Sequence, residues 1–157
     1  RYVRDGYYDG TVFHRVIPNF VVQGGGYDPG LSARKAHAPI PNESGNGLSN
    51  RRGSVGLARE DSPHSGSSQF YINLMDNTGL DPLPSRWGYA VFGKVVEGMD
   101  VVDRIAHLVT ETVANFGEGV PVERPVIQRA WVVETESAPE PVHATESPPP
   151  PETKKPE

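Results

Sequence analysis

Arg15, Phe20 and Gln23 share one short run, FHRVIPNFVVQGGG (residues 13–26). Arg15 and Gln23 stand towards the two ends of a stretch that is otherwise mostly apolar. Valine and phenylalanine at this density predict strand. In a strand, residues two apart share a face, so Val21 and Gln23 point one way and Phe20 and Val22 the other. The three glycines that follow end the strand and allow positive φ. A fixed charge, an amide and an aromatic ring held this close suit a surface that grips a peptide better than they suit a plain core strand.

Other chemistries fit the sequence poorly. The chain has no cysteine, so a thiolate nucleophile, a thiolate metal site and a disulfide framework are all ruled out. His14, His37, His64, His107 and His143 show no metal-ligand spacing, and His14 reads as structural because it faces away from Arg15 in an alternating strand. His64 and Ser65 near Asp61 lack the G-x-S-x-G elbow of a hydrolase. Gly24 to Gly26 lack the lysine and Ser/Thr of a phosphate loop.

The run FHRVIPNFVVQGGG closely resembles the signature of cyclophilin-type peptidyl-prolyl cis-trans isomerases. Three later stretches agree in the family's order: Asn42-Glu43 with Asn46-Gly47-Leu48, then SQFYIN (residues 68–73), then YAVFGKVVEGMD (residues 89–100). The resemblance runs from residue 1 to about 134. It implies rotation about Xaa-Pro bonds, a reaction with a barrier of about 18–20 kcal/mol because amide resonance must be lost. Such an enzyme needs no nucleophile, metal or cofactor; it has to bind the twisted amide better than either planar form. A guanidinium can donate to the lone pair that the pyramidal proline nitrogen regains, in a fork geometry that lysine lacks.

Carried over residue by residue, the resemblance makes Arg15 the catalytic arginine. Gln23 becomes the glutamine that bonds the substrate and helps hold that arginine. Phe20 becomes the floor of the proline pocket. Val21 stands where methionine is frequent, which implies a slightly looser pocket. Ala58 and Arg59 match the edge that binds substrate backbone, with Arg59 in place of a common asparagine. Gln69 matches a second pocket glutamine and Leu80 the pocket wall. Tyr71 replaces the usual phenylalanine, so its hydroxyl must be solvated or bonded. Tyr89 resembles the bacterial branch, and its hydroxyl could bond the substrate carbonyl. Gly79 stands where some members carry tryptophan, which implies weak cyclosporin binding. The partners implied are proline-containing polypeptides. The alternative function is a proline-peptide binding or chaperone module with little turnover.

The elements that must position these residues read as mainly β. Strands are expected over residues 11–16, 20–23, 53–58, 69–74 and 89–96, with Gly93 at a bulge or bend. A last strand is expected over residues 125–127 and onward to 131–133. Met99, Val102, Ile105 and Ala106 have helical spacing over residues 99–108. Residues 1–5 read as a short helical remnant stopped at Gly6. Residues 24–50 form a long Gly/Pro loop. This pattern fits a closed antiparallel barrel. The family's fold is an eight-stranded barrel capped by two helices. Its first two strands and most of its first helix are expected to precede Arg1. About six of the eight strands are therefore expected here, and a barrel without the other two should be open, with unpaired edges.

The 157 residues suit one domain over residues 1–136 followed by a Pro/Glu-rich tail over residues 137–157, expected to be disordered. That tail holds seven of the 16 prolines. A net charge of -5 and a pI near 5.5 argue against nucleic acid as the main partner. No apolar run approaches the roughly 20 residues of a membrane-spanning helix. Nothing in the sequence demands more than a monomer, and it does not choose between cytoplasm and periplasm.

Overall fold

The computed structural model describes residues 1–133. The expected tail, including its domain boundary, lies outside these residues. Eight strands run in chain order as β1 (Thr11–Ile17), β2 (Val21–Gly24), β3 (Ser54–Leu57), β4 (Phe70–Asn73), β5 (Val91–Lys94), β6 (Thr110–Val113), β7 (Gly117–Pro121) and β8 (Val126–Ile127). One helix, α1 (Met99–Ala106), and a 3-10 turn, Thr78–Leu80, complete the elements among the described residues. Six strands form one antiparallel sheet in the order β5-β3-β4-β2-β1-β8, and β6 and β7 form a separate ribbon.

The main sheet is not closed. β5 and β8 are its unpaired edges among the described residues, the open form expected of a barrel short of two strands rather than the closed one that the strand pattern alone suggests. The β6–β7 ribbon lies against β1: a Cβ at Gly119 would come within 2.7 Å of the Val16 carbonyl and the Ile17 side chain. Gly119 has φ +86, so glycine serves both the turn of the chain and this close approach.

One irregularity decides which side chains meet. Phe13 pairs with Gly24 and Arg15 pairs with Gln23, so β1 advances two residues while β2 advances one. His14 is the extra residue of a β-bulge. Strict alternation would put Phe13 and Arg15 on one face, and the bulge separates them. Phe13 turns towards the core, where its ring meets Phe70 edge-on at 6.0 Å across Gly24. Arg15 turns to the opposite face with Gln23 and, through the pairing of Gln23 with Tyr71, with β4.

The core face carries Val16, Val22 and Ile72 in register, all buried. Helix α1 covers it with buried Val102 and Ala106 and the partly buried Met99 and Ile105, the apolar stripe read from the sequence. The helix starts after Gly98 at φ 85, and Arg104 pairs with Asp100 one turn back at 2.7 Å. It ends two residues short of the expected span, at Ala106, where the His107 amide bonds back to the Arg104 and Ile105 carbonyls.

Three other expectations shift, and one hairpin is new. Residues 1–5 form a turn rather than a helix, closed by Asp5 N–H to the Arg1 carbonyl, and Gly6 at φ 65 ends it after one turn. The bulge expected at Gly93 falls one residue earlier, at Phe92, where Val55 and Gly56 oppose Gly93 and Val91. The last strand keeps only Val126 and Ile127; residues 128–133 pair with no strand. The β6–β7 hairpin is an addition, turning through Asn115 at φ 69.

His14 itself is buried among aromatic rings, 4.6 Å from Tyr27 and 6.3 Å from Phe116, with its Nδ1 unpartnered. Burial pushes its pKa down from 6.5 to about 4. The folded state therefore resists the proton that the unfolded chain accepts below pH 6.5. Stability attributable to His14 is full above that pH and is lost as pH falls towards 4, by about 3 kcal/mol for a shift of this size. Urea unfolding at pH 7 and at pH 4.5 should show this loss. The His14→Phe protein, which keeps a ring in the cluster, should show a correspondingly smaller loss.

Candidate functional site

The face opposite the core forms one side of a cavity of about 200 Å3 lined by Arg15, Phe20, Val21, Gln23, Ala58, Arg59, Tyr71, Leu80 and Tyr89. Nine of the ten residues singled out in the sequence therefore meet in one place, from six separate segments of chain. Gln69 is the exception. It sits behind the cavity, where its Oε1 accepts from Gln23 Nε2 at 3.0 Å and its side chain fills the space a Cβ at Gly26 would need.

Each wall has a local cause. Arg15 and Gln23 face each other because the His14 bulge sets their register, and Arg15 Nη1 donates to Gln23 Oε1 at 3.4 Å. Among the described residues Arg15 has no carboxylate within 4.0 Å and no other hydrogen bond. Its charge is therefore left facing the cavity, with most of its donors unspent. Phe20 follows a turn through Asn19 at φ 57, a conformation that asparagine tolerates. The Phe20 carbonyl is fixed by the Leu74 amide and by Asn77 Nδ2, both at 2.9 Å. Ala58 is held at the end of β3 by its amide bond to the Gln69 carbonyl, 2.9 Å.

Arg59 lies with its guanidinium 4.4 Å from the centre of the Tyr89 ring, a cation–π contact. It also donates to the carbonyls of Glu60, Asp61, Trp87 and Gly88 at 2.8 to 3.3 Å. The sequence reading gave Arg59 a main-chain role only. Its side chain in fact ties the segment around Trp87 to the end of β3. Leu80 and Tyr89 stay together because the Tyr89 amide bonds to the Leu80 carbonyl at 2.8 Å.

Tyr71 is 4% exposed, and its hydroxyl donates to Asn50 Oδ1 at 2.6 Å. The extra hydroxyl therefore has a buried partner. Burial, reinforced by nearby Tyr89 and Asp81, pushes its pKa above the usual phenol value, so Tyr71 stays a neutral donor. Beneath it lies a polar layer absent from the sequence reading: Asn50, Asn73, Asn77, Asp81, Ser49 and Ser54. Asp81 is pulled two ways. Partial burial pushes its pKa up, and bonds from Ser49 and Asn50 outweigh that and hold it below the usual carboxylate range.

The lining of the cavity thus combines the apolar groups of Phe20, Val21, Leu80 and Tyr71 with two arginines, Arg15 and Arg59, and contains no carboxylate. Such a lining can hold a proline ring and donate to polar atoms of the peptide bond beside it. The model of the cyclophilin type peptidyl-prolyl cis-trans isomerase/CLD family matches residues 1–132. The chain belongs to this family. A relative in Acinetobacter baylyi, named peptidyl-prolyl cis-trans isomerase, is 52% identical over 111 residues, covering 71% of this chain and 59% of that protein. Isomerases of Streptomyces antibioticus and Escherichia coli K12 are 47% and 44% identical, covering 84% and 85% of this chain and 81% and 82% of theirs. The fold is that of a Cryptosporidium parvum cyclophilin crystal structure, with a TM-score of 0.70 at 22% identity, covering 85% of this chain and 81% of that one. The cyclophilin fold accounts for the mainly β architecture. No helix among the described residues is long and apolar enough to cross a membrane.

Proposed function

We propose that this cyclophilin accelerates cis-trans rotation of Xaa-Pro bonds in folding polypeptides, with Arg15 as the catalytic group. The observation that carries this reading is the placement of Arg15. It lines the same cavity as Phe20, Leu80 and Tyr71, with one 3.4 Å bond to Gln23 and no ion pair among the described residues. Phe20, Leu80 and Tyr71 grip the proline ring in both isomers. Arg15 donates to the proline nitrogen only when the amide is twisted and that nitrogen has regained its lone pair. An interaction made only in the twisted state lowers the barrier rather than merely tightening binding. Gln23, steadied by Gln69, orients Arg15 and bonds the peptide. Ala58 and Arg59 receive its backbone, and Tyr89 closes the far side.

The occupant of the cavity is a proline-containing peptide, in line with the Cryptosporidium protein crystallised in the presence of the dipeptide Ala-Pro. Tyr89 and the relatives from bacteria support reading the chain as a member of the bacterial branch. The unpaired edges of β5 and β8 support the view that the family's first two strands are not among these residues. The bare wall at Gly79, where nothing lies within 4 Å of a built Cβ, favours weak cyclosporin binding. NMR titration tests the cavity. A peptide with a central Ala-Pro bond should shift the resonances of Phe20, Ala58, Tyr71 and Tyr89, and its Ala-Ala analogue should not. Equal shifts with both peptides would overturn the assignment of a proline pocket.

A further inference from the structure

We propose that Asn50, which does not line the cavity, is a positioning residue that braces three walls of the proline pocket from beneath. It is completely buried and every polar atom it has is in use. Its Oδ1 accepts from Tyr71 Oη at 2.6 Å and from Asn73 Nδ2 at 3.2 Å. Its Nδ2 donates to Asp81 Oδ1 at 2.9 Å and to the Tyr89 carbonyl at 3.2 Å. Its amide donates to Asp81 Oδ1 at 2.7 Å, and its carbonyl accepts from the Asn77 amide at 2.7 Å.

These partners are spread through the pocket. Tyr71 is the wall on β4. Asp81 follows Leu80 directly and anchors the 3-10 turn that presents it. Tyr89 forms the third wall, and Asn50 holds it by the backbone. Asn77 carries the brace one step further, since its Nδ2 donates to the Phe20 carbonyl and to Asn73 Oδ1. The side-chain amide has two donors and two acceptor sites, and all four are matched. Turning it over would aim its oxygen at the Asp81 carboxylate and the Tyr89 carbonyl, so its orientation is fixed. Two side chains of β4 join this brace, Tyr71 through its hydroxyl and Asn73 through its amide. A fully satisfied buried network of this kind holds its members in one arrangement.

Walls that touch the proline ring do so in the ground state and the twisted state alike, so loosening them weakens binding of both. The inference rests on the isomerase reading, and steady-state kinetics by NMR exchange with the Ala-Pro peptide, well below the melting temperature, separates the two. For Asn50→Ala the expected result is a KM raised about tenfold with kcat within about twofold of wild type. Tyr71→Phe should raise KM about threefold, and the double variant should be no worse than Asn50→Ala, because both cut the same link. A merely structural role would lower the melting temperature and leave KM of the folded protein unchanged. If Asn50→Ala does not fold, Asp81→Ala, at a half-exposed position, cuts the brace at its other end and should raise KM in the same way. Wild-type KM in the folded variant overturns the proposal. Wild-type protein with neither exchange nor peptide binding would instead overturn the isomerase reading.

Discussion

Arg15→Ala should lower kcat/KM for an Ala-Pro peptide by about 100- to 1000-fold, the usual cost of removing one preorganised donor to a transition state. The loss should fall almost wholly on kcat. Arg15 has no ion pair among the described residues and only a 3.4 Å bond to Gln23, so its removal leaves the walls Phe20, Leu80 and Tyr71 standing. Peptide affinity should stay within about threefold, since only the twisted state loses a contact. Arg15→Lys should recover little, because an ammonium on a flexible stem does not reproduce the planar fork. Exchange rates and titration on the same samples separate the two quantities. A fall in affinity that matched the fall in rate would make Arg15 a binding residue and not a catalytic one.

Gly56→Ala should be among the most damaging single-methyl changes in the protein. Gly56 pairs with Tyr71 across β3 and β4, and a Cβ built on it lands on the Tyr71 ring carbon Cζ and its hydroxyl. The far side of that ring is fixed by the 2.6 Å bond to Asn50, so the ring cannot yield without breaking it. Overpacking alone costs about 1–3 kcal/mol, and an orphaned buried acceptor adds about 1–3 kcal/mol. A total near 3 kcal/mol lowers the melting temperature by about 10 °C for a domain of this size. Because Tyr71 is also a pocket wall, KM should rise in the folded fraction. Gly45→Ala is the control, with nothing within 4 Å of its Cβ, and should melt within about 2 °C of wild type. Unchanged melting of Gly56→Ala would mean that the Tyr71 ring is not held as described.

Much of the site was legible because its residue types are unusual for their surroundings. An arginine and a glutamine in an apolar run, with Phe20 between them, marked the surface, and the resemblance supplied the remaining walls. What could not be read were features set by pairing between distant segments. The bulge at His14 exists only in relation to β2; by alternation alone Phe13 would share the pocket face, and in the structure it packs on Phe70 in the core. Asn50 looked like the last residue of a loop because its partners lie 21 to 39 positions away. The β6 strand has no buried residue to mark it, so its pattern carried no strand signal. Gln69 was placed in the lining by analogy and lies one hydrogen bond behind it.

The open sheet bears directly on activity, since β1, which carries Arg15, is next to the edge strand β8, and β2, which carries Gln23, is one strand further in. β8 pairs with β1 only at Thr11 and Val12, so Arg15 is held by its pairing with Gln23 alone, while Gln23 is paired on both sides, with Arg15 and with Tyr71. The most direct test is NMR exchange between the cis and trans forms of an Ala-Pro peptide at catalytic concentrations of this protein, with Arg15→Ala as the blank. The account predicts exchange accelerated well above the uncatalysed rate by the wild type and close to that rate with Arg15→Ala. Peptide binding by the wild type without accelerated exchange would contradict it, and would mark the pocket as a proline-binding module that does not turn over.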